Sequence, residues 1–278
     1  VLEGEESYDK DLWQKVVDMG WTATVIPEEY DGLGLSYLEL SVIAEELGKA
    51  IAPIPFSSSV YLATEILMAA GSMEQKSDWL PKLASGATIG CLAVAEGSGP
   101  MTGNALAAKL KAGKLTGVKI PVADGDVADF ALVLANDDQG PTICLVELNQ
   151  SGVVCEQVKT LDPSRSHACL KFEGAIAQVV GASGQGLAIL ESIYNRAAVL
   201  FAWEQVGGAD TALNMAKEYA LGRFAFGRPI ATYQAIKHKL AHAYVKNTLA
   251  RSNCYYGAWA LATDAEELPI AAATARVA

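Results

Sequence analysis

The sequence has no excess of positive charge, no apolar run long enough to span a bilayer, and no two cysteines at CxxC spacing. Each lack removes a class of function. With 21 Lys and Arg against 32 Asp and Glu, the net charge is -11 at pH 7, which argues against nucleic acid as a general partner. Without a stretch of roughly 20 apolar residues, no membrane insertion is expected. The opening residues, "VLEGEESYDKD", are acidic and do not read as a signal peptide. Cys91, Cys144, Cys155, Cys169 and Cys254 are odd in number and lie mostly in apolar, strand-like runs. They read as buried, reduced thiols of a cytoplasmic protein rather than as a disulfide framework or a zinc site. Histidine is scarce. His238 and His242, in "HKLAH", share a helix face at i,i+4, but no third ligand is evident and the Glu of HExxH is absent, so a polar helix face is expected. His167 reads as a loop residue. The glycine-rich "GSGPMTGN" and "GASGQG" match neither GxGxxG nor a P-loop. No Ser-His-Asp set, internal repeat or low-complexity tract stands out.

What is present is apolar residue content: 51% of 278 residues, enough for a large core and for more than one structural unit. Residues 1–87 read as helices. "DKDLWQKVVDMG" has helical apolar spacing and stops at Gly20; Ser36 and Glu39 have the spacing of a capping box for "SYLELSVIAEELGKA". "SSSVYLATEILMAAG" and "EQKSDWLPKLASG" make two more helices. Over 88–181 the pattern changes to short runs rich in Val, Ile and Thr, such as "TIGCLAVAEG", "DFALVLAND" and "TICLVELNQ". These predict an antiparallel β-barrel or sandwich. From 182 to 278 the helical period returns in a long segment that is apolar nearly all round, as suits a bundle interior. Gly207 and Gly208 offer a close helix approach or a slight bend. A second helix runs from about Thr232 to Ala262, and a third starts near Leu268. The chain begins without Met and stops inside an apolar, helix-like run, so both ends read as trimmed. The expected class is therefore α+β and multidomain: an N-terminal helical domain, a central antiparallel β-barrel or sandwich, and a C-terminal helical bundle.

Between the two long helices lies "YALGRFAFGRPIATYQAIKHKLA". An Arg, a Phe-Gly turn and a Pro interrupt two apolar-periodic runs. This stretch resembles the R-x-x-FG-x-P-I-x-x-x-Q pattern of the flavin-dependent acyl-CoA dehydrogenase family. "PEEYDGLGLSYLELSVIAEELG", "CLAVAEGSG" and "LTGVKIPVADGDVADFALVLA" are similar to further segments of that family, in the same order. The resemblance implies FAD, and a corner that reaches the flavin of a neighbouring subunit. It implies that Arg223 binds the diphosphate, as a guanidinium can fork onto it, that Phe226, Ile230, Tyr233 and Ile236 line the cofactor, and that Gln234 is a nearby polar contact. Val94, Ala95 and Ala123 fall on the strands that face the flavin. The implied reaction is α,β-dehydrogenation of an acyl-CoA thioester. A carboxylate takes the α-proton and the β-hydrogen leaves as hydride to FAD. An electron-transfer acceptor, a role in lipid metabolism and an oligomer, a dimer of dimers, are implied with it.

The sequence departs from the family around the flavin. Ala95 stands where the family has a hydroxyl residue, and Gly97 where it has Pro. Pro100 and Met101 stand about where it has Gly and Ser. Pro121 replaces a frequent Trp, and Ala123 a Thr or Ser. Each lost ring hydrogen bond is worth about 0.5–1.5 kcal/mol net. Some members carry a catalytic Glu just before the Arg of the long helix; here Asn195 precedes Arg196, and an amide cannot act as that base. Glu204 is the acidic candidate further along. Most members place the base after the third bundle helix, in a segment this sequence does not contain. Arg196 is expected to meet the acyl-CoA, with a helix-face salt bridge as the alternative. Two further readings follow: a non-catalytic subunit of a heteromeric dehydrogenase that contributes to its partner's FAD site, and a monooxygenase or nitroalkane-oxidising relative.

Overall fold

The computed structural model describes residues 6–99 and 106–277. The chain forms two compact units: Val1–Leu35 with Pro53–Tyr194, and Ser36–Ala52 with Asn195–Ala278. Helices come first, a sheet occupies the middle and a helical bundle ends the chain. Among the described residues no helix is long and apolar enough to cross a membrane.

In the first unit, helix α1 (Lys10–Asp18) starts where the Asp9 carboxylate accepts from Leu12 N at 2.9 Å, and it buries Trp13 and Val16. The predicted helix at "SSSVYLATEILMAAG" is present but divided. Ser57–Thr64 is π-helical and Glu65–Ala70 is α-helical, α3. A π-helical stretch is rare and usually confined to a short interruption of an α-helix. Here three successive serines are all buried and each is hydrogen-bonded to another segment of the unit. Helix α4 (Met73–Ala84) opens with a capping box of Ser72 and Gln75.

The sheet contains β1 (Gly90–Ala93), β2 (Lys109–Lys111), β3 (Lys114–Ala123), β4 (Phe130–Asp137), β5 (Gly140–Glu147), β6 (Val153–Gln157), β7 (His167–Ile176) and β8 (Gln178–Val180). Their order is β6-β7-β3-β2-β4-β5-β8, with β1 beside β4. The path is open, so the barrel alternative is set aside and the sandwich kept. The pairing is also not wholly antiparallel, because β1 and β2 both run parallel to β4. Strand β4 explains the uninterrupted apolar run "FALVLA". Phe130, Leu132 and Leu134 join a core with α3, α4 and the start of α5 (Gly186–Gly222). Ala131, Val133 and Ala135 fill a second core with β1, β3, β5 and β7. A strand covered on both faces has no polar side to alternate. Four of the five cysteines are buried as expected; Cys155, on the edge strand β6, is exposed.

In the second unit, α2 (Tyr37–Ala50) has the predicted Ser36–Glu39 capping box. It joins α5 from Asn195 onward, α6 (Gln234–Ala262) and α7 (Leu268–Val277). Two glycines allow the helices to touch backbone to backbone. A Cβ on Gly48 would lie 2.0 Å from Glu204 O, and one on Gly207 2.2 Å from Glu45 O. The close approach anticipated at Gly207 is thus between α5 and α2. An ion-pair cluster ties these helices to α6: Arg251 donates to Glu45 at 2.6 Å, and Lys49 stands 3.1 Å from the same oxygen. Burial pushes Glu45 up, and its bonds to Arg251 and Lys49 more than offset this, holding it below the usual carboxylate value.

Candidate functional site

The corner between α5 and α6 is a small β-hairpin. Helix α5 ends at Gly222, and Arg223 N closes it by donating to Tyr219 O at 2.8 Å. Strands β9 (Phe224–Ala225) and β10 (Arg228–Pro229) pair antiparallel, with Ala225 opposite Arg228. The two residues at the tip, Phe226 and Gly227, have φ of 52° and 77°. That is the primed-turn geometry of tight hairpins, which favours Gly or Asn at both positions. Gly227 suits it. Phe226 does not, since a left-handed L-residue costs roughly 1–2 kcal/mol. Its ring gains no cover in return among the described residues, being 97% exposed. Phe224 is 63% exposed.

Behind the tip the corner is braced. Tyr233 donates its hydroxyl to Ala225 O at 2.8 Å, and Arg228 stacks over the Tyr233 ring at 4.2 Å. Ile230, Tyr233 and Ile236 are half-buried; Gln234 is exposed at the first turn of α6. Arg223 is exposed, and among the described residues no carboxylate pairs with it. The structure therefore gathers Arg223, Phe226, Ile230, Tyr233, Gln234 and Ile236 in one place. An exposed guanidinium in the same hairpin as two exposed aromatic residues, one of them on a left-handed backbone, suits a planar ligand that carries phosphate. Strain and exposure together point away from a role in the chain's own folding.

Val94, Ala95 and Ala123 lie in the first unit. Val94 is buried just past β1, Ala95 is half-buried, and Ala123 ends β3 opposite His167. Strand β3 leaves its register with β7 between Lys119 and Val122. Pro121 in that gap has no N–H to give to a ladder. Ile120 turns instead to the segment after β1: its N–H donates to Ala95 O at 2.8 Å, and its carbonyl accepts from Gly97 N at 2.9 Å. Lys119, whose side chain is fully buried, donates to Glu96 Oε1 at 2.6 Å and to Val94 O at 3.0 Å. Burial pushes the Lys119 ammonium down and Glu96 counters in part. Burial pushes Glu96 up, but Lys119 and the N–H groups of Ala107 and Ala108 outweigh it and leave the carboxyl below its usual value. Asp124, next to Ala123, is buried against Ser58 at 2.6 Å and Arg165 at 3.2 Å. Its pKa is raised by burial, which these partners do not overcome. The Glu96–Lys119 and Asp124–Arg165 pairs were not singled out from sequence, because each joins residues more than 20 positions apart. Pro100 and Met101 lie outside the described residues.

On α5, Arg196 donates to Tyr37 Oη at 3.1 Å and to Asp264 at 2.9 Å. Asp264 is 81% exposed, so this is a surface ion pair of the kind worth about 1 kcal/mol or less. Glu204 is half-buried, with its backbone against Gly48. His238 and His242 are both exposed on α6. Among the described residues no group of three or more His, Cys, Asp or Glu is placed to hold a metal ion.

Comparison with known proteins identifies the family. The family model "Acyl-CoA dehydrogenase, N-terminal domain" matches residues 2–87, and "Acyl-CoA dehydrogenase, C-terminal domain" matches residues 184–278. The acyl-CoA dehydrogenase FadE27 of Mycobacterium tuberculosis is 32% identical over 270 residues, which cover 94% of this chain and 69% of that protein. Among solved structures, the ChsE4-ChsE5 complex from Mycobacterium tuberculosis is 30% identical with a TM-score of 0.85, over 99% of this chain and 74% of that one. Butyryl-CoA dehydrogenase from Megasphaera elsdenii is 25% identical with a TM-score of 0.89, over 96% and 75%. With both family models matched and the helix–sheet–bundle order shared, this chain belongs to the acyl-CoA dehydrogenase family.

Proposed function

We infer that this chain is an FAD-dependent acyl-CoA dehydrogenase that introduces an α,β double bond into an acyl-CoA thioester. The observation that carries the reading is the α5–α6 corner, where one short hairpin carries both an exposed Arg223, with no carboxylate partner among the described residues, and an exposed Phe226 on a left-handed backbone. Arg223 binds the cofactor diphosphate through charge-assisted hydrogen bonds. Phe226 packs on a planar ring, and Ile230, Tyr233 and Ile236 form the apolar bed that excludes water from it. Gln234 adds a polar contact. Val94, Ala95 and Ala123, in the first unit, face the ring edge of the FAD that this chain itself holds. FAD, when bound, supplies the hydride acceptor. Arg196 meets the acyl-CoA by exchanging its surface ion pair with the exposed Asp264, while Tyr37 holds the guanidinium. Glu204 is the candidate base within these residues, since Asn195 cannot accept the proton. Segments 1–87, 88–181 and 182–278 are its functional divisions.

The corner projects its chemistry outward, so the cofactor it meets belongs to a second subunit. Exposed apolar side chains along α5 and α6, including Met215, Tyr219, Tyr244, Val245 and Leu249, support a subunit interface. A dimer of dimers, a soluble cytoplasmic setting and an electron-transfer acceptor complete the proposal.

A second reading has a specific observation in its favour. Ala95 and Ala123 have no side-chain hydroxyl to offer a ring edge. In that reading the chain lends its corner to the flavin of a homologous partner and is not catalytic itself. Incubation with acyl-CoAs of several shapes and an artificial electron acceptor tests the choice. A product lighter by two hydrogens, formed by the chain alone, supports the first reading. Product formed only after a homologous subunit is added supports the second.

A further inference from the structure

A concentrated polar feature of the first unit is a clamp just past the end of β1. Three chain segments meet there on two side chains. Glu96 Oε2 accepts from Ala107 N at 2.6 Å, and Glu96 Oε1 accepts from Ala108 N at 3.0 Å and from Lys119 Nζ at 2.6 Å. Lys119 Nζ reaches on to Val94 O at 3.0 Å. The main chain closes the same junction through the bonds of Ile120 to Ala95 O and from Gly97 N. Ala95, one of the positions assigned to the ring edge, is thus held on both sides. Lys119 grips the carbonyl before it, and Glu96 anchors the residue after it.

A fully buried ammonium is an expensive way to join strands. An apolar pair of similar volume commonly does so as well or better. What a hydrogen-bonded ion pair adds is placement: directional bonds fix where each peptide group sits, in a way that packing alone does not. At this ledge placement matters more than in a site lined by hydroxyls. Alanine at 95 and 123 leaves only main-chain groups to meet a polar ligand. Recognition there depends on peptide positions, and those positions depend on the clamp. Lys119 also donates to the carbonyl of the Val94–Ala95 peptide, which polarises that peptide and strengthens its N–H as a donor.

We propose that Lys119 and Glu96 are positioning residues for the flavin half-site, setting the main-chain groups of Val94–Gly97 that take the place of the missing side-chain hydroxyls. The proposal rests on the reading of this chain as a flavin-binding dehydrogenase. It concerns affinity and ring environment and does not require either residue to touch the substrate.

The test uses the full chain with FAD as the probe. Three proteins are compared: unaltered, Lys119→Met, and the double variant Lys119→Met with Glu96→Gln. The double variant leaves no unpaired buried charge and so guards against a simple failure to fold. The readouts are the FAD dissociation constant, the position and shape of the visible band of bound FAD, and the melting temperature without FAD. The expected result is at least a tenfold weaker dissociation constant and an altered band in the double variant, while its cofactor-free melting temperature stays within a few degrees of the unaltered chain. Unchanged affinity and an unchanged band in a folded double variant overturn the proposal. A fall in melting temperature with no separate effect on FAD also overturns it, because the clamp is then structural only. If the unaltered chain binds no FAD, alone or with a homologous subunit, the flavin reading itself fails and this proposal falls with it.

Discussion

Phe226→Gly should leave the fold intact or slightly firmer while weakening cofactor binding. Phe226 occupies the first central position of the hairpin at φ 52°, where a side chain costs roughly 1–2 kcal/mol. Glycine removes that strain, but it loses roughly 0.5–1 kcal/mol through the greater freedom of the unfolded chain. The ring is 97% exposed, so little packing is lost within the chain. The net effect on stability is a gain of about 0.5 kcal/mol, or one to two degrees in melting temperature at about 2–4 °C per kcal/mol for a chain of this size. Binding behaves differently. A phenyl ring fully buried against a ligand contributes about 1.5–3 kcal/mol, so its loss should weaken FAD binding by roughly 10–150-fold. Calorimetry of the cofactor-free protein and a fluorescence titration with FAD read the two quantities separately. A clear drop in melting temperature with unchanged FAD affinity would refute the reasoning, because Phe226 would then serve polypeptide packing and nothing else.

Arg223→Ala should weaken FAD binding about tenfold or more, the range for a hydrogen bond to a charged group, and flatten its dependence on salt. Arg223→Lys should recover only part of the loss, because an ammonium cannot fork onto a diphosphate; full recovery in an FAD titration would contradict a bidentate contact. Gly207→Ala should destabilise the second unit by about 1–3 kcal/mol, since the new Cβ meets Glu45 O at 2.2 Å and Lys49 N at 3.1 Å; an unchanged urea midpoint would show that α2 and α5 yield freely. The pH dependence of stability should carry a contribution from Glu96. Its folded pKa is held below the unfolded 4.5, so the folded state binds fewer protons in that interval. The contribution is then present above pH 4.5 and disappears as pH falls through the lower, folded value. Glu96→Gln should remove this part of the acid limb in urea titrations at stepped pH, and an unchanged limb would exclude the assigned partners.

Elements with a strong local signal were legible in the sequence. Asp9 and Gly20 bracket α1, Ser36 and Glu39 start α2, and the runs in β3 to β7 carry enough β-branched and aromatic residues to stand out from their turns. Strands of two or three residues, β2, β8, β9 and β10, were not read, since periodicity needs more positions than they have. Nor was the π-helical turn at Ser57–Thr64, whose hydrogen-bond pattern leaves no mark distinct from that of an α-helix. The parallel pairings of β1 and β2 with β4 are a matter of tertiary arrangement, to which strand composition is blind. At the candidate site the motif "RFAFGRPIATYQAI" located the corner, because its residues are close in the chain. The left-handed backbone of Phe226 and the stacking of Arg228 on Tyr233 arise only in the folded hairpin and leave no mark on the motif. The Glu96–Lys119 clamp was invisible for the opposite reason: its members are ordinary residues in separate segments, and only folding brings them to 2.6 Å.

The most direct test of the central claim is the visible spectrum of the full-length protein purified alone and titrated anaerobically with acyl-CoAs of different shapes. The account predicts a stoichiometric flavin band that one of these acyl-CoAs bleaches. A colourless protein that acquires flavin only when co-expressed with a homologous subunit would contradict it, and would mean that this chain holds no flavin of its own and lends its Arg223 corner to that of a different chain.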